Sequence, residues 1–324
     1  MKVKAEKHFD QTIGWLLELN TYILFNTEIP PGWHEFDRIQ LKQATKSGIV
    51  RLEKPLHVYW HITNACNFPC SFCSAGKDID KESVLNATRE LTLGRLLDEN
   101  ILKIDFTGGE PLLFKGLCKY ATIVKEAGIG STLTSNGWWL SERASEISGL
   151  FDWVIVSIDG AHASTHDRLR GAPGSFDRAV SAVKKLVDIG IRVRINMVAS
   201  SQNYKEIPDT ILLAQSIGAS QISIMQFRPV GQGQYTKHQF ELDDDLFHRF
   251  ANSAKSRLAT DNFVTNVSNR QHFGGFPAIQ PDATVKTLTL EGNPIDLGSL
   301  LDSTLTNLWR KESVPQYLRI NQVT

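Results

Sequence analysis

Cysteine is scarce. Four in 324 residues are too few to staple so long a chain with disulfides. Net charge is absent too, because 35 basic residues meet 35 acidic ones. That balance gives no electrostatic reason to expect nucleic acid or an anionic membrane as a partner. No run approaches the roughly 18 apolar residues needed to cross a bilayer, so no span is expected. The opening MKVKAEKHFDQTIGWLL starts basic but has no unbroken apolar stretch and no small-residue cleavage site. It does not read as a secretion signal, and the expected location is the cytoplasm. Low-complexity tracts and short-period repeats are also missing. A chain of this length can bury a sizeable core as one large α/β domain or two smaller ones.

What is present begins at about residue 56, where strand-like and helix-like runs alternate. Strand candidates are HVYWHIT (57–63), LKIDFTG (102–108), GSTLTSN (130–136), WVIVSID (153–159), RVRINMV (192–198) and QISIMQF (221–227). They are rich in β-branched and aromatic residues and most end in Gly, Asn or Asp. Helices lie between them. Ser175 is placed to cap one of them, and Gly128, Gly190 and Gly218 are placed to stop three. Such alternation predicts parallel strands joined by right-handed crossovers. Six units are too few to close an eight-stranded barrel, so the expected fold is a partial (β/α)6 TIM-like barrel. Residues 1–55 are read as an N-terminal extension with an amphipathic helix from Ile13 to Phe25, and 56–235 as the barrel. Residues 236–324 are read as a small C-terminal cap. Asp243 to Asp245 read as first-turn dipole complements of a helix rather than as a metal site.

Three of the four cysteines fall within eight residues, in HITNACNFPCSFCSAGKD, directly after the first of these strands. Thiolates suit zinc or iron–sulfur clusters. Zinc sites usually want four ligands from paired clusters; no second CxxC is present, and the HxxxH of His162 and His166 falls in a connection. Cys66, Cys70 and Cys73 on one loop satisfy three irons of a [4Fe–4S] cube and leave the fourth open. An open iron is a place for reaction rather than a structural staple.

The CxxxCxxC spacing resembles the radical S-adenosylmethionine (SAM) superfamily, and further motifs follow in the same order. Phe72 precedes the last cysteine, the position that lies against adenine in that family. Thr107-Gly108-Gly109-Glu110-Pro111 is similar to the family's GGE motif, which receives the methionine amino group of SAM. Glycines allow close backbone approach there, and an acid pairs with an ammonium. Ser135-Asn136-Gly137 is similar to the TNG motif, and Ser157-Ile158-Asp159-Gly160 is followed by His166-Asp167 and Arg170-Gly171. Asn196 and the segment Gln226 to Gly233 complete the series. The resemblance implies a [4Fe–4S] cluster on Cys66, Cys70 and Cys73. It implies SAM contacts at Phe72, Gly108, Gly109, Glu110, Asn136, Ser157, Arg170 and Asn196. It also implies reductive cleavage of SAM to a 5′-deoxyadenosyl radical that abstracts hydrogen, and hence a flavodoxin- or ferredoxin-type reductant.

Other candidates read as structural. Cys118 shares a helical stripe with Phe114, Leu117 and Ala121 and is expected in the core. His162 and His166 have i, i+4 spacing but fall in a connection. His57 and His61 share one strand face, and core packing explains them. Trp138 and Trp139 fit a substrate pocket or the packing of a first helical turn equally well.

Residues 278–311 resemble the SPASM extension of peptide- and protein-modifying radical SAM enzymes, but without the cysteine expected near Thr287 or Leu288 and those that follow. A cluster-free SPASM-like hairpin and helix is the expectation. The implied substrate is a ribosomally made precursor peptide, with epimerisation, cyclisation and tyramine-excising splicing all compatible and a separate leader-recognition protein as partner. A small-molecule substrate such as a sugar or nucleoside is the alternative, and a non-catalytic scaffold with a vestigial cluster site is a further one.

Overall fold

The computed structural model describes residues 1–8, 11–18, 20–74, 84–99, 101–268, 276–288, 294–310 and 317–320. Residues 75–83, which follow the cysteines in sequence, and 289–293 lie outside these residues.

The N-terminal stretch expected as a helix is strand. β1 (Lys2–His8), β2 (Gln11–Leu16), β3 (Thr21–Phe25), β4 (Gly32–Glu35) and β5 (Thr45–Lys46) form an antiparallel sheet in the order β4-β1-β2-β3-β5. β2 misleads because it is buried on both faces, leaving an apolar run without a period of two. Ile13 and Trp15 enter the main core, while Leu16 joins Val3, Ile23 and Leu41 in a small core of its own. Asn20 turns the chain between β2 and β3 at φ 45°, and its amide oxygen accepts from Trp15 Nε1 at 3.0 Å. Asn tolerates this left-handed conformation better than most residues.

β6 (Gly48–Arg51) leads into the parallel array. β7 (His57–Thr63), β8 (Lys103–Gly108), β9 (Gly130–Ser135), β10 (Trp153–Ser157), β11 (Val193–Ala199) and β12 (Gln221–Gln226) lie side by side in chain order. These are the expected six strands of a partial TIM-like barrel, with bounds within two residues of the sequence reading. Helices 86–98, 117–126, 140–147, 175–188 and 207–216 connect them. Gly128, Gly190 and Gly218 follow three of those helices at φ 69–81°. Ser175 is not a cap. Gly174, at φ 80°, holds that position, and Ser175 Oγ donates to Asp167 at 2.9 Å.

The sheet continues past the six strands on both sides. β13 (Val264–Ser268) pairs parallel with β12, and β14 (Ala278–Ile279) pairs parallel with β7. β15 (Thr284–Leu288) and β16 (Pro294–Ser299) then add an antiparallel hairpin beyond β14. β17 (Tyr317–Ile320) pairs with β6. The C-terminal region is built into the main core rather than laid on it: Ile279, Val285, Leu297, Leu305 and Trp309 all belong to that cluster. Asp243 caps helix 244–257 by accepting from Leu246 N at 2.9 Å, as first-turn acids do.

Strand alternation gives the sheet two characters. Val58, Trp60 and Ile62 of β7, and Ile104 and Phe106 of β8, are fully buried against the helices. The other face carries His57, Tyr59 and His61 opposite Lys103, Asp105 and Thr107. The barrel lumen is therefore polar. The N-terminal sheet closes it at the base, where Trp153 Nε1 donates to Leu17 O at 2.7 Å and the Trp15 ring fills the space a side chain at Gly130 would need.

Candidate active site at the strand ends

The cysteine loop leaves the C-terminal end of β7, the end where loops of barrel enzymes collect their chemistry. Main-chain contacts fix it. Gly109 N donates to Thr63 O at 2.8 Å and Glu110 N to Ala65 O at 2.7 Å, so the Gly-Gly-Glu turn lies flat against the loop's first residues. Glycine is required at both positions. A β-carbon would sit 2.2 Å from Thr63 O at Gly108 and 2.1 Å from Ala65 O at Gly109, and Gly108 has φ 134°. Asn136 Nδ2 reaches across from the end of β9 to Asn67 Oδ1 at 2.9 Å. From the far side, Gly233 N donates to Cys73 O at 3.0 Å and Thr236 Oγ1 to Ser71 O at 2.7 Å.

The three thiols lie in an aromatic pocket. Cys70 is buried, and Cys66 and Cys73 are half-buried beside Phe68, Phe72, Phe227, Phe240 and Trp138. Burial pushes the Cys66 thiol up to about 11 and raises Cys70 as well, with Arg170 opposing the shift at Cys70. Thiols held in this way lose their protons when a metal takes them, so metal binding and deprotonation are coupled. Among the described residues no three His, Cys, Asp or Glu side chains converge as they would on a single metal ion. Thiolates on separate irons of a cube need no such convergence. Three thiols on one pinned loop, in a largely apolar pocket with a cation beside them, fit a [4Fe–4S] cluster.

Glu110 is fully buried, and its carboxyl is pushed up to about 7 by that burial, against the pull of its hydrogen bonds. Oε1 accepts from Ser135 Oγ at 2.9 Å and Leu112 N at 3.2 Å, and Oε2 accepts from Asn136 N at 2.8 Å. An ionised carboxylate offers about four acceptor positions, so about one remains on Oε2. Arg170 pairs with buried Asp159 at 2.6 Å, and its guanidinium carbon lies 5.4 Å from the Phe72 ring centre. Burial alone would lower its pKa, but Asp159, Cys70 and Cys73 together raise it and keep it charged. Ser157 and Asn196 are paired across β10 and β11, and Asn196 Oδ1 is buried without a hydrogen bond.

Sequence reasoning passed over several of these residues. Asp159 was visible only as part of Ser-Ile-Asp-Gly. Asn67 and Phe240 had no local signal, since only the fold brings them to the loop, and Phe227 was visible only within the segment Gln226 to Gly233. Trp138, left open between two roles, packs edge-on against Phe68 at 5.6 Å. Cys118 is half-buried rather than in the core, with Arg143 and Glu146 as neighbours. His162 stands at the N-cap position of helix 163–170 without a side-chain cap bond, and His166, fully buried within the helix, accepts from Asp159 N through Nδ1 at 3.1 Å. Burial and Arg170 lower His166 to about 4, so it is neutral. His61, on the lumen face, is lowered to about 4 by burial.

Comparison with known proteins agrees with this geometry. The model of the radical SAM superfamily matches residues 60–214. The chain is 30% identical over 190 residues to a probable GTP 3',8-cyclase of Saccharolobus islandicus, covering 57% of this chain and 60% of that protein. It is also 30% identical over 234 residues to the Fe-coproporphyrin III synthase of Methanosarcina barkeri, covering 70% of this chain and 54% of that one. The chain thus spans 54–60% of the length of these curated relatives. Among solved structures, Streptococcus suis SuiB bound to its precursor peptide SuiA superposes with a TM-score of 0.64 at 18% identity, over 81% of this chain and 66% of that one. A second fold match, anSMEcpe with bound AdoMet, has a TM-score of 0.60 at 17% identity, over 79% of this chain and 81% of that one. No helix among the described residues is long and apolar enough to cross a membrane. From residue 60 to residue 214 the chain is thus similar to the radical SAM superfamily, whose members use a [4Fe–4S] cluster and S-adenosylmethionine.

Proposed function

We propose that the protein cleaves SAM reductively and uses the resulting 5′-deoxyadenosyl radical to take hydrogen from a precursor peptide. The observation that carries the first half is the pinned Cys66–Cys70–Cys73 loop resting on the Gly108-Gly109-Glu110 turn in an aromatic pocket. When bound, the cluster supplies the electron that breaks the sulfonium bond of SAM. The chain's own residues hold and shield. Cys66, Cys70 and Cys73 would ligate iron. Gly108, Gly109 and the remaining acceptor on Glu110 would take the ammonium of SAM. Arg170 would face its carboxylate, Asn136, Ser157 and Asn196 its polar groups, and Phe72 its adenine. The aromatic wall would exclude water from the radical.

Two features support a peptide as hydrogen donor. The fold likeness to SuiB, solved with its precursor peptide SuiA, extends over 81% of this chain. Among the described residues the sheet also keeps a strand, β13, that pairs with β12 alone, and extended peptides dock by adding a strand to such an edge. The places beside β7 and β12 are taken by β14 and β13. β15, β16 and helix 305–309 would act as a cluster-free SPASM-like lining for the peptide. A small leader-gripping protein and a flavodoxin- or ferredoxin-type reductant complete the proposed system. The 30% identity to GTP 3',8-cyclases favours a second reading, a nucleotide-like small molecule.

The test uses protein reconstituted with iron and sulfide, SAM and dithionite. Formation of 5′-deoxyadenosine supports the first half, and its absence overturns it. A mass change in a short peptide encoded beside the gene supports the peptide reading. SAM consumption in step with loss of a nucleotide, with the peptide unchanged, supports the second.

A further inference from the structure

β11 carries an arginine that the site described above does not use. Val193, Ile195, Met197 and Ala199 of this strand are fully buried, while Arg194, Asn196 and Val198 alternate onto the lumen face. Arg194 pairs in register with Ile155 on one side and Gln221 on the other, one pleat below the Ser157–Asn196 pair. At about 3.3 Å per residue, its Cα lies roughly 6–7 Å deeper in the barrel than that of Asn196.

Among the described residues no side chain forms a hydrogen bond with Nε of this half-buried guanidinium, and that nitrogen is shielded from solvent. The acid whose charge acts on it most is Asp105, and that carboxylate is held by His57 Nε2 and Lys103 Nζ at 3.3 Å each. Tyr22 O–H meets Nδ1 of the same histidine, and Phe276 stacks on its ring at 3.8 Å. The acid's Oδ2 therefore has its own partners, while its Oδ1 is buried without a hydrogen bond. Around the lumen, Arg194, Arg228, Lys103 and Lys286 act on His57, Tyr59 and His61 as positive charges. The same side chains feel one carboxylate, Asp105, among the described residues. Burial keeps His57 and His61 neutral, so they do not add to this charge. A shielded donor without a partner is expensive, and a ligand that supplies the partner relieves that cost.

We propose that Arg194 anchors an anionic group, carboxylate or phosphate, of the substrate inside the barrel. The proposal rests on the functional reading above and adds the charge of the substrate. Substrate selection then depends on Arg194, one pleat below the residues assigned to SAM. A guanidinium fork suits both groups bidentately.

The test uses the cluster-loaded protein saturated with SAM, titrated with pyrophosphate in one arm and citrate in the other. Binding is read by calorimetry and by the rise in unfolding temperature. The wild type is expected to bind at least one of them. Arg194→Met should weaken that anion about ten- to a hundredfold, the cost of one charge-assisted contact. Arg194→Lys should recover part of the loss, and Arg194→Met should melt higher than the wild type without added anion. Preference for pyrophosphate assigns a phosphate group and preference for citrate a carboxylate. Anion binding that is equal in wild type and Arg194→Met overturns the proposal. So does a matching fall in SAM affinity, which would make Arg194 a SAM contact. Formation of 5′-deoxyadenosine by the wild type is assayed in the same preparation, so failure of the radical reading is told apart from failure of the anion site.

Discussion

Asp159 Oδ2 lies 2.6 Å from Arg170 Nη2, with the carboxylate fully buried and the arginine side chain 13% exposed. The aspartate is held in turn: Val198 N donates to its Oδ1 at 2.8 Å, and its carbonyl accepts from Asn203 Nδ2 at 2.7 Å. Arg170 thereby sits against the cysteine loop, with its own carbonyl oxygen 3.5 Å from Cys70 Sγ.

Breaking this pair from one side should cost more than removing both charges. Asp159→Asn or Arg170→Met alone leaves a buried charge, worth about 3–5 kcal/mol of stability. The double variant should recover a large part of that in urea unfolding. Additive losses would show that the two side chains act independently.

Cys66→Ala, Cys70→Ala and Cys73→Ala should each abolish the brown iron–sulfur absorbance and SAM cleavage. Cys118→Ser should keep both, because Cys118 sits on the outer helices beside Arg143 and Glu146. Reconstituted protein should hold about four irons and four sulfides per chain. Retained absorbance in the Cys70→Ala protein would contradict the ligand set.

Glu110→Gln should weaken SAM binding about ten- to a hundredfold, through loss of one charge-assisted contact. It should also destabilise the fold, since one oxygen that now accepts from Ser135, Leu112 or Asn136 becomes a donor facing a donor. Isothermal titration with SAM and thermal melting read the two effects separately.

Stability should fall between pH 6.5 and about 4. His61 and His166 are held down to about 4, and burial, with Lys103 and Arg194, holds His57 well below its usual value. Once unfolded, these rings take up protons below about pH 6.5 that the folded chain refuses, so acidification favours unfolding by up to about 1.4 kcal/mol per pH unit for each. Glu110 opposes this. Its raised pKa makes the folded state the better proton binder between about 7 and 4.5, so acidification there is stabilising. Three histidines outweigh one carboxyl, and His61→Gln should flatten the slope measured by urea unfolding across this range.

Truncation near residue 275 should not yield a folded barrel. It removes β14, which pairs with β7, together with Leu305 and Trp309 from the main core. Losing one buried Trp side chain typically costs about 3–5 kcal/mol, and this truncation takes several core residues at once. A soluble truncated protein with a cooperative melt would contradict this.

The strands at 57–63 and 221–227 were legible because one face of each is polar and turn residues end them. The cysteine loop was legible because thiolate chemistry concentrates in a short stretch of sequence. β2 was not, since burial on both faces erased its alternation. The Asp159–Arg170 pair and the Asn136–Asn67 bridge were hidden for another reason. They join residues 11 and 69 positions apart, and only the register of the sheet brings them within reach. Arg194 looked like any charged strand residue until pairing with Ile155 and Gln221 assigned it to the lumen.

Trp309 Nε1 reaches back 257 positions to the carbonyl of Leu52, Glu99 accepts from Thr306 N across 207, and β17 pairs with β6. During synthesis such closures cannot form when the cysteine loop leaves the ribosome, because their second halves are not yet made. The antiparallel N-terminal sheet, built mostly from neighbouring strands, can close early. The barrel base must wait until residues 306–320 have been made. The cysteine loop therefore leaves the ribosome well before the barrel behind it is closed.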